Sequence, residues 1–169
     1  REVAPPELSP VCEVCGGFFH ENGFVTEKPH GRIPWAHIVA SENFGTVLTE
    51  NSLGFTYARN SGMKKLTPHE ADNMREDSGE RLILRIYDRF DSESYEDYDL
   101  VASSKYVNFA FGRAEYTGQV EGIWYQITVG ILEKHDVKRI SVRLESGGAQ
   151  AVHAEVYFMV RPCIGERRD

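Results

Sequence analysis

The chain is 169 residues long, 41% hydrophobic and 27% charged, with a formal net charge of -7 at pH 7. That length suits one domain, or a large part of a bigger one, with a core that needs neither metal nor disulfide. The acidic balance argues against a nucleic-acid footprint or an anionic membrane surface, which need clustered lysine and arginine, and no apolar run reaches the roughly 18 residues of a membrane-spanning helix.

The chain begins with Arg1, and residues 1–10 carry three of the seven prolines without periodicity or the apolar stretch of a signal peptide. Residues 1–15 therefore read as a leader or linker, and residues 16–169 as one domain. Three cysteines are an odd number and too few for a disulfide scaffold. Reduced thiols and a cytoplasmic location are expected. Cys12 and Cys15 form a lone CxxC pair. A structural zinc site needs four ligands, and neither His20 nor Cys163 completes the spacing, so two buried, unreactive thiols and no metal are expected.

Proceeding along the chain, Ala36 to Ala40, after Pro34, suggests one short helical turn. Arg81 to Tyr87 places Leu82, Leu84 and Ile86 on one face of a strand. The block from Asp88 to Asp99 is the most acidic and reads as a solvated hairpin tip; it lacks the glycine turn of a calcium loop. Tyr106 to Tyr116 is an aromatic strand candidate, and Gly122 to Leu132 alternates Ile123, Tyr125, Ile127, Val129 and Ile131. Ile140, Val142 and Leu144 define a further strand. The run Glu145-Ser146-Gly147-Gly148-Ala149 reads as a hairpin connection to the strand from Ala151 to Val160, with Val156, Phe158 and Val160 on one face and His153, Glu155, Tyr157 and Met159 on the other. Short alternating strands with almost no helical period predict an all-β, antiparallel β-sandwich.

The six histidines are scattered, and no HExxH pair or GxSxG elbow occurs. No pair stands out among 26 acidic residues; His153 and Glu155 share a strand face that reads as surface. No catalytic residue is assigned. The segment from Ile33 to Pro68 instead mixes aromatic rings with amides, hydroxyls and bases. Rings stack on the apolar face of a pyranose, while amides and guanidinium groups fork onto adjacent hydroxyls. The candidate carbohydrate-binding residues are Trp35, Tyr57, Arg59, Asn60, Lys64, Lys65 and Thr67. A stand-alone binding module would add Trp124 and Tyr125 as platforms.

The order of motifs carries more. Gly17-Phe18, Pro34-Trp35, Phe44-Gly45, Gly54-Phe55-Thr56-Tyr57, Arg59-Asn60, Met63-Lys64-Lys65-Leu66-Thr67 and Gly79-Glu80-Arg81-Leu82-Ile83-Leu84 follow one another in a pattern that resembles the N-terminal region of the cellobiose phosphorylase family, glycoside hydrolase family 94. Ala58 departs from it, standing where an aromatic residue is common. The resemblance implies a galactose-mutarotase-like supersandwich, incomplete in this chain, that packs on an (α/α)6 barrel. It implies a parent enzyme performing inverting phosphorolysis of β-linked glucosides: a barrel carboxylic acid protonates the glycosidic oxygen while inorganic phosphate, as co-substrate, attacks the anomeric carbon. The chain would then be an accessory domain of a glycoside phosphorylase or glycosyltransferase, without a cofactor. Its partners would be an oligosaccharide or glucoside, the parent enzyme's barrel and, through exposed edges, a second copy in a homodimer, but neither nucleic acid nor membrane. The alternatives are a carbohydrate-binding module and a structural or dimerisation domain.

Overall fold

The computed structural model describes residues 3–14, 16–28, 33–68, 78–91, 93–132, 134–148 and 151–163. Every strand pairing among them is antiparallel, and among these described residues no helix is long and apolar enough to cross a membrane. In chain order the strands are β1 (Cys12–Val14), β2 (Gly17–His20), β3 (Gly23–Glu27), β4 (Ala36–Ala40), β5 (Phe44–Thr49) and β6 (Phe55–Ala58). They continue as β7 (Glu80–Tyr87), β8 (Tyr95–Asp99), β9 (Ser104–Ala110), β10 (Arg113–Val120), β11 (Ile123–Ile131), β12 (Lys138–Ser146) and β13 (Ala154–Val160). A seven-stranded sheet has the order β1-β2-β3-β9-β10-β11-β12, and two three-stranded sheets have the orders β13-β7-β8 and β4-β5-β6.

Period-2 alternation divides the large sheet into two faces. Its inner face carries Phe24, Val107, Phe109, Ala114, Tyr116, Val120, Ile123, Tyr125, Ile127 and Val129, which form one cluster with Val39, Leu48, Leu53, Leu82, Leu84, Leu100 and Val101 of the smaller layer. Polar ties cross the same interior. The Tyr116 hydroxyl donates to the Thr49 carbonyl at 2.9 Å. The Lys28 ammonium lies 2.6 Å from the Glu50 carbonyl oxygen and 2.9 Å from that of Val101.

The central tie is an ion pair. Lys138 opens β12 and Glu80 opens β7; their side chains are 7% and 3% exposed and meet at 2.6 Å. The ammonium also donates to the Thr46 hydroxyl at 2.9 Å and the Leu53 carbonyl at 3.0 Å, using its three protons. The other Glu80 oxygen accepts from the Thr56 and Thr67 hydroxyls at 2.5 and 2.9 Å. Burial lowers the Lys138 pKa below the ordinary lysine value, against the raising influence of Glu80.

Several sequence expectations change. Ala36–Ala40 is strand β4 rather than a helical turn: five residues gain too few helical bonds to nucleate, whereas β5 pairs with all five. Tyr106 to Tyr116 is two strands, not one, because the chain reverses at Phe111-Gly112, where Gly112 supplies a φ of +72°. β12 and β13 do not form a hairpin. β12 pairs along its whole length with β11, and β13 pairs with β7 in the other layer; Ala149 of the expected connection lies outside the described residues. The acidic block is a solvated turn only in its first half, since Tyr95–Asp99 forms β8. Cys12 is exposed rather than buried, and Cys15 lies outside the described residues, as do His30 and His69. Within the stretch read as a leader, β1 pairs with β2 and Val3 is buried.

Two stability predictions follow from these ties. Lys138→Met strands a buried carboxylate and should cost about 3–5 kcal/mol in urea unfolding; adding Glu80→Gln should recover most of the loss, because the amide oxygen still accepts from the threonines. His37 on β4 donates to the Ala110 carbonyl at 2.9 Å, and burial holds its pKa below 6.5. Between the lowered folded value and 6.5 the unfolded chain binds a proton that the folded chain refuses, so stability falls as pH drops through that window. His37→Gln should therefore flatten the acid limb of the urea midpoint between about pH 7 and pH 5.

Candidate functional site

The residues nominated from sequence divide by environment. Tyr57 sits half-buried on β6, and the chain beyond it folds back so that Tyr57 bridges Lys65. Arg59 turns the chain with a φ of +61°, a region costly for a residue with a Cβ. The Asn60 side-chain oxygen accepts from the backbone N–H groups of Gly62 and Met63 at 2.8 and 3.0 Å, closing the turn. Lys64 is exposed, and the Lys65 ammonium lies 5.3 Å over the Phe55 ring. Thr67 is buried; its hydroxyl donates to Glu80 and accepts from the Thr56 N–H at 2.8 Å. Trp35 packs on Phe24 with ring centroids 4.8 Å apart and is 39% exposed. Arg59, Asn60 and Lys64 thus share one exposed turn, and Thr67 faces the interior.

A concave site lies elsewhere, on the outer face of the large sheet. Strand pairing sets Asn108 beside Glu115 and Tyr106 beside Thr117. Gln126 lies across from Thr117 on the other side, and Trp124 precedes Gln126 along β11 on the same face. A register shift between Thr117 and Gly118 adds local twist here. Tyr106, Asn108, Glu115, Thr117, Trp124 and Gln126, walled by Ala4 and Pro6, line a cavity of about 210 Å³. A wider groove of about 640 Å³ lies next to it, lined by Pro5, Glu13, Phe18, Val25, Glu27, Lys28 and Tyr106 among others. The N-terminal segment thus borders both, with Tyr106 shared between them.

One hydrogen-bond relay fixes the smaller cavity. The Asn22 N–H donates to His20 Nδ1 at 3.3 Å, which makes Nε2 the protonated nitrogen. Nε2 donates to Asn108 Oδ1 at 2.9 Å, and Asn108 Nδ2 donates to Glu115 Oε2 at 3.1 Å. Arg113 Nε donates to the other Glu115 oxygen at 2.9 Å. Asn108 is 6% exposed, so both ends of its amide are held. Tyr125, expected as a platform, is instead fully buried on the inner face; its desolvated hydroxyl has a raised pKa. Trp124 stays half-exposed, with the Arg143 guanidinium 5.9 Å from its ring.

The outer face of β13-β7-β8 holds the histidine–carboxylate pair seen in sequence. The His153 ring stacks on Tyr87 at 4.4 Å. Glu155 accepts from the Tyr87 hydroxyl at 2.8 Å and from the Tyr157 hydroxyl. These hydroxyls hold its carboxyl below the ordinary range, which suits a fixed acceptor and not a proton donor at neutral pH. Arg85 forks onto Asp97 with two bonds of 2.8 Å and lies 3.7 Å over the Tyr95 ring. Among the described residues no three histidine, cysteine or acidic side chains could hold a metal ion.

Sequence reasoning named Trp124 but missed Asn108, Glu115, Thr117 and Gln126. Polar residues alternating with core residues are the ordinary outward face of a sheet, and only pairing brings these four together. Asn108→Ala would remove the partner of Glu115 Oε2 and the acceptor of His20 Nε2, and should lower stability by about 1–3 kcal/mol in urea unfolding.

A search of curated proteins returned no match to this chain. The family model described as Glycosyl hydrolase 94, supersandwich domain, matches residues 22–169, a span that takes in the antiparallel layers from β3 onward, and the chain belongs to that family.

Proposed function

We propose that this domain is the carbohydrate-associated accessory sandwich of a glycoside phosphorylase or glycosyltransferase acting on β-linked glucosides, docked on the catalytic (α/α)6 barrel of its parent enzyme. The observation that carries the reading is an apolar flank on a domain of this family. Leu144 on β12 and Val156, Phe158 and Val160 on β13 lie on the inward faces of their strands, yet are 38%, 43%, 49% and 47% exposed. Inward-facing apolar residues left this open mark a surface that another body covers. The sandwich supplies shape and sugar contacts, while the proton-donating acid and the phosphate contacts belong to the barrel. Inorganic phosphate takes the place of the water and its activating base, so one carboxylic acid suffices. The exposed turn of Arg59, Asn60 and Lys64, with Tyr57 and Lys65 behind it, is a candidate contact at the mouth of that barrel. The enzyme needs no cofactor in this reading and works in the cytoplasm, away from nucleic acid and membrane.

The cleft beside Trp124 favours a second reading, a sugar-binding module that acts without the barrel. The parent protein separates the two. Supplied with cellobiose, other β-linked glucosides and inorganic phosphate, it should release a sugar 1-phosphate of inverted configuration. Phe158→Lys should lower that rate by roughly tenfold or more if the flank is a packed interface, while the isolated domain keeps its circular dichroism spectrum. Release of no sugar phosphate from any β-linked glucoside sinks the phosphorylase reading. A dimer of the isolated chain in light scattering, broken by Phe158→Lys, assigns the flank to a second copy instead.

A further inference from the structure

We propose that the cavity between Trp124 and the N-terminal segment is a subsite for a single pyranose unit of a neutral sugar. The inference rests on the carbohydrate reading above and gives it a place and a ligand class. Size is the first argument: about 210 Å³ lies below the roughly 300–1,000 Å³ of sites for drug-sized ligands, and is the scale of one ring.

The lining is the second argument. Glu115 contributes a carboxylate, Asn108 and Gln126 contribute amides, and Thr117 contributes a hydroxyl, while Trp124 adds an apolar wall. Alternating donors and acceptors beside one flat ring match a sugar, which presents hydroxyl edges and an apolar C–H face. The lining contains no lysine or arginine, and nearby Arg113 is committed to Glu115. Arg143, beside Trp124, is likewise ion-paired with Glu145, so inorganic phosphate and acidic sugars would meet a carboxylate and no uncommitted cation.

Preorganisation is the third argument. The relay from His20 through Asn108 to Glu115 holds two of the polar groups before any ligand arrives, which reduces the ordering cost of binding. One Glu115 oxygen accepts from Asn108 and the other from Arg113, and each keeps a second acceptor position for a sugar hydroxyl. Thr117 and Gln126 stand half-buried on adjacent strands, and their side chains make no hydrogen bond among the described residues.

The chain has two tryptophans, so Trp35→Phe leaves Trp124 as the sole reporter. Titration of this variant with glucose or cellobiose should give a saturable change in tryptophan emission with a dissociation constant of roughly millimolar order, and inorganic phosphate should give none. Gln126→Ala should weaken the sugar by about threefold to tenfold, and the exposed Lys134→Ala should leave it unchanged. In the unsubstituted chain, cellobiose should shift the amide resonances of Asn108, Glu115 and Gln126, a readout that needs no variant to fold. The proposal is overturned by the absence of any saturable change, by binding that Arg59→Ala removes and Gln126→Ala does not, or by phosphate displacing the sugar. A parent enzyme that phosphorolyses β-glucosides while this cleft binds nothing loses only the subsite. A cleft that binds sugar in an inactive parent loses only the phosphorylase.

Discussion

Three sheets meet at one buried ammonium. Lys138 reaches from β12 in the large sheet to Glu80 on β7, Thr46 on β5 and the Leu53 carbonyl. Thr56 on β6 and Thr67 complete the carboxylate from the other side. A buried pair of this kind is weak evidence for net stability, since desolvating two ions offsets much of their attraction. Its stronger consequence is register. A one-residue slip of β12 would put Arg139 inside and turn Lys138 outward, leaving Glu80 without a cation. The same slip in β7 would exchange Glu80 for Arg81 and bring two cations together. Apolar patterning specifies these strands less tightly, because β12 is largely exposed and β13, the partner of β7, is exposed on both faces.

Inner register dictates the outer face. With Tyr116, Tyr125 and Ile127 locked into the core, Glu115, Thr117, Trp124 and Gln126 must point outward, and antiparallel pairing collects them with Tyr106 and Asn108. The two-residue turn at Glu121-Gly122, with φ values of +44° and +76°, fixes which residues of β10 and β11 stand opposite each other. The cleft therefore belongs to the rigid centre of the large sheet, and the N-terminal segment only walls it. This differs from the Arg59–Lys64 turn, whose shape rests on a strained φ and the Asn60 side chain.

The strand alternation of β7 and β11 and the family's order of motifs were legible in the sequence because both are local or linear signals. Pairing was not. Gly147-Gly148 reads as a hairpin, but a turn signal does not say whether the next strand returns to its own sheet or crosses to the other layer. Ala36–Ala40 follows a proline like the start of a helix, yet a partner strand decides its state. Thr67 looked like a polar contact for a ligand, and it is a contact, but for Glu80; spacing cannot distinguish a hydroxyl facing solvent from one completing a buried carboxylate. The Arg59-Asn60 step, legible as a polar fork, has a backbone role that only dihedral angles reveal. Asn108, Glu115 and Gln126 were invisible as a group, since outward polar residues are what any half-exposed sheet contains.

The two sides of the sandwich differ in how they end. On the β1 side the sheet finishes in short strands, and the N-terminal segment lies along it with Val3 buried. On the other side β12 carries Lys138, Arg139, Arg143 and Glu145, charges of the kind that protect an edge from association. β13 has no such protection beyond Glu155, whose carboxylate is engaged by two tyrosine hydroxyls. Val156, Phe158 and Val160 continue the inward row beside Leu84, Leu82 and Glu80, but nothing in the described chain covers them as it covers Leu82 and Leu84. Because Val160 pairs with Glu80, this open row ends beside the ion pair itself. The pair itself is already closed to water, with side chains 7% and 3% exposed, so a body docking along β13 would cover the apolar row up to the strand end that the ion pair holds in register and would leave the pair's own environment nearly unchanged.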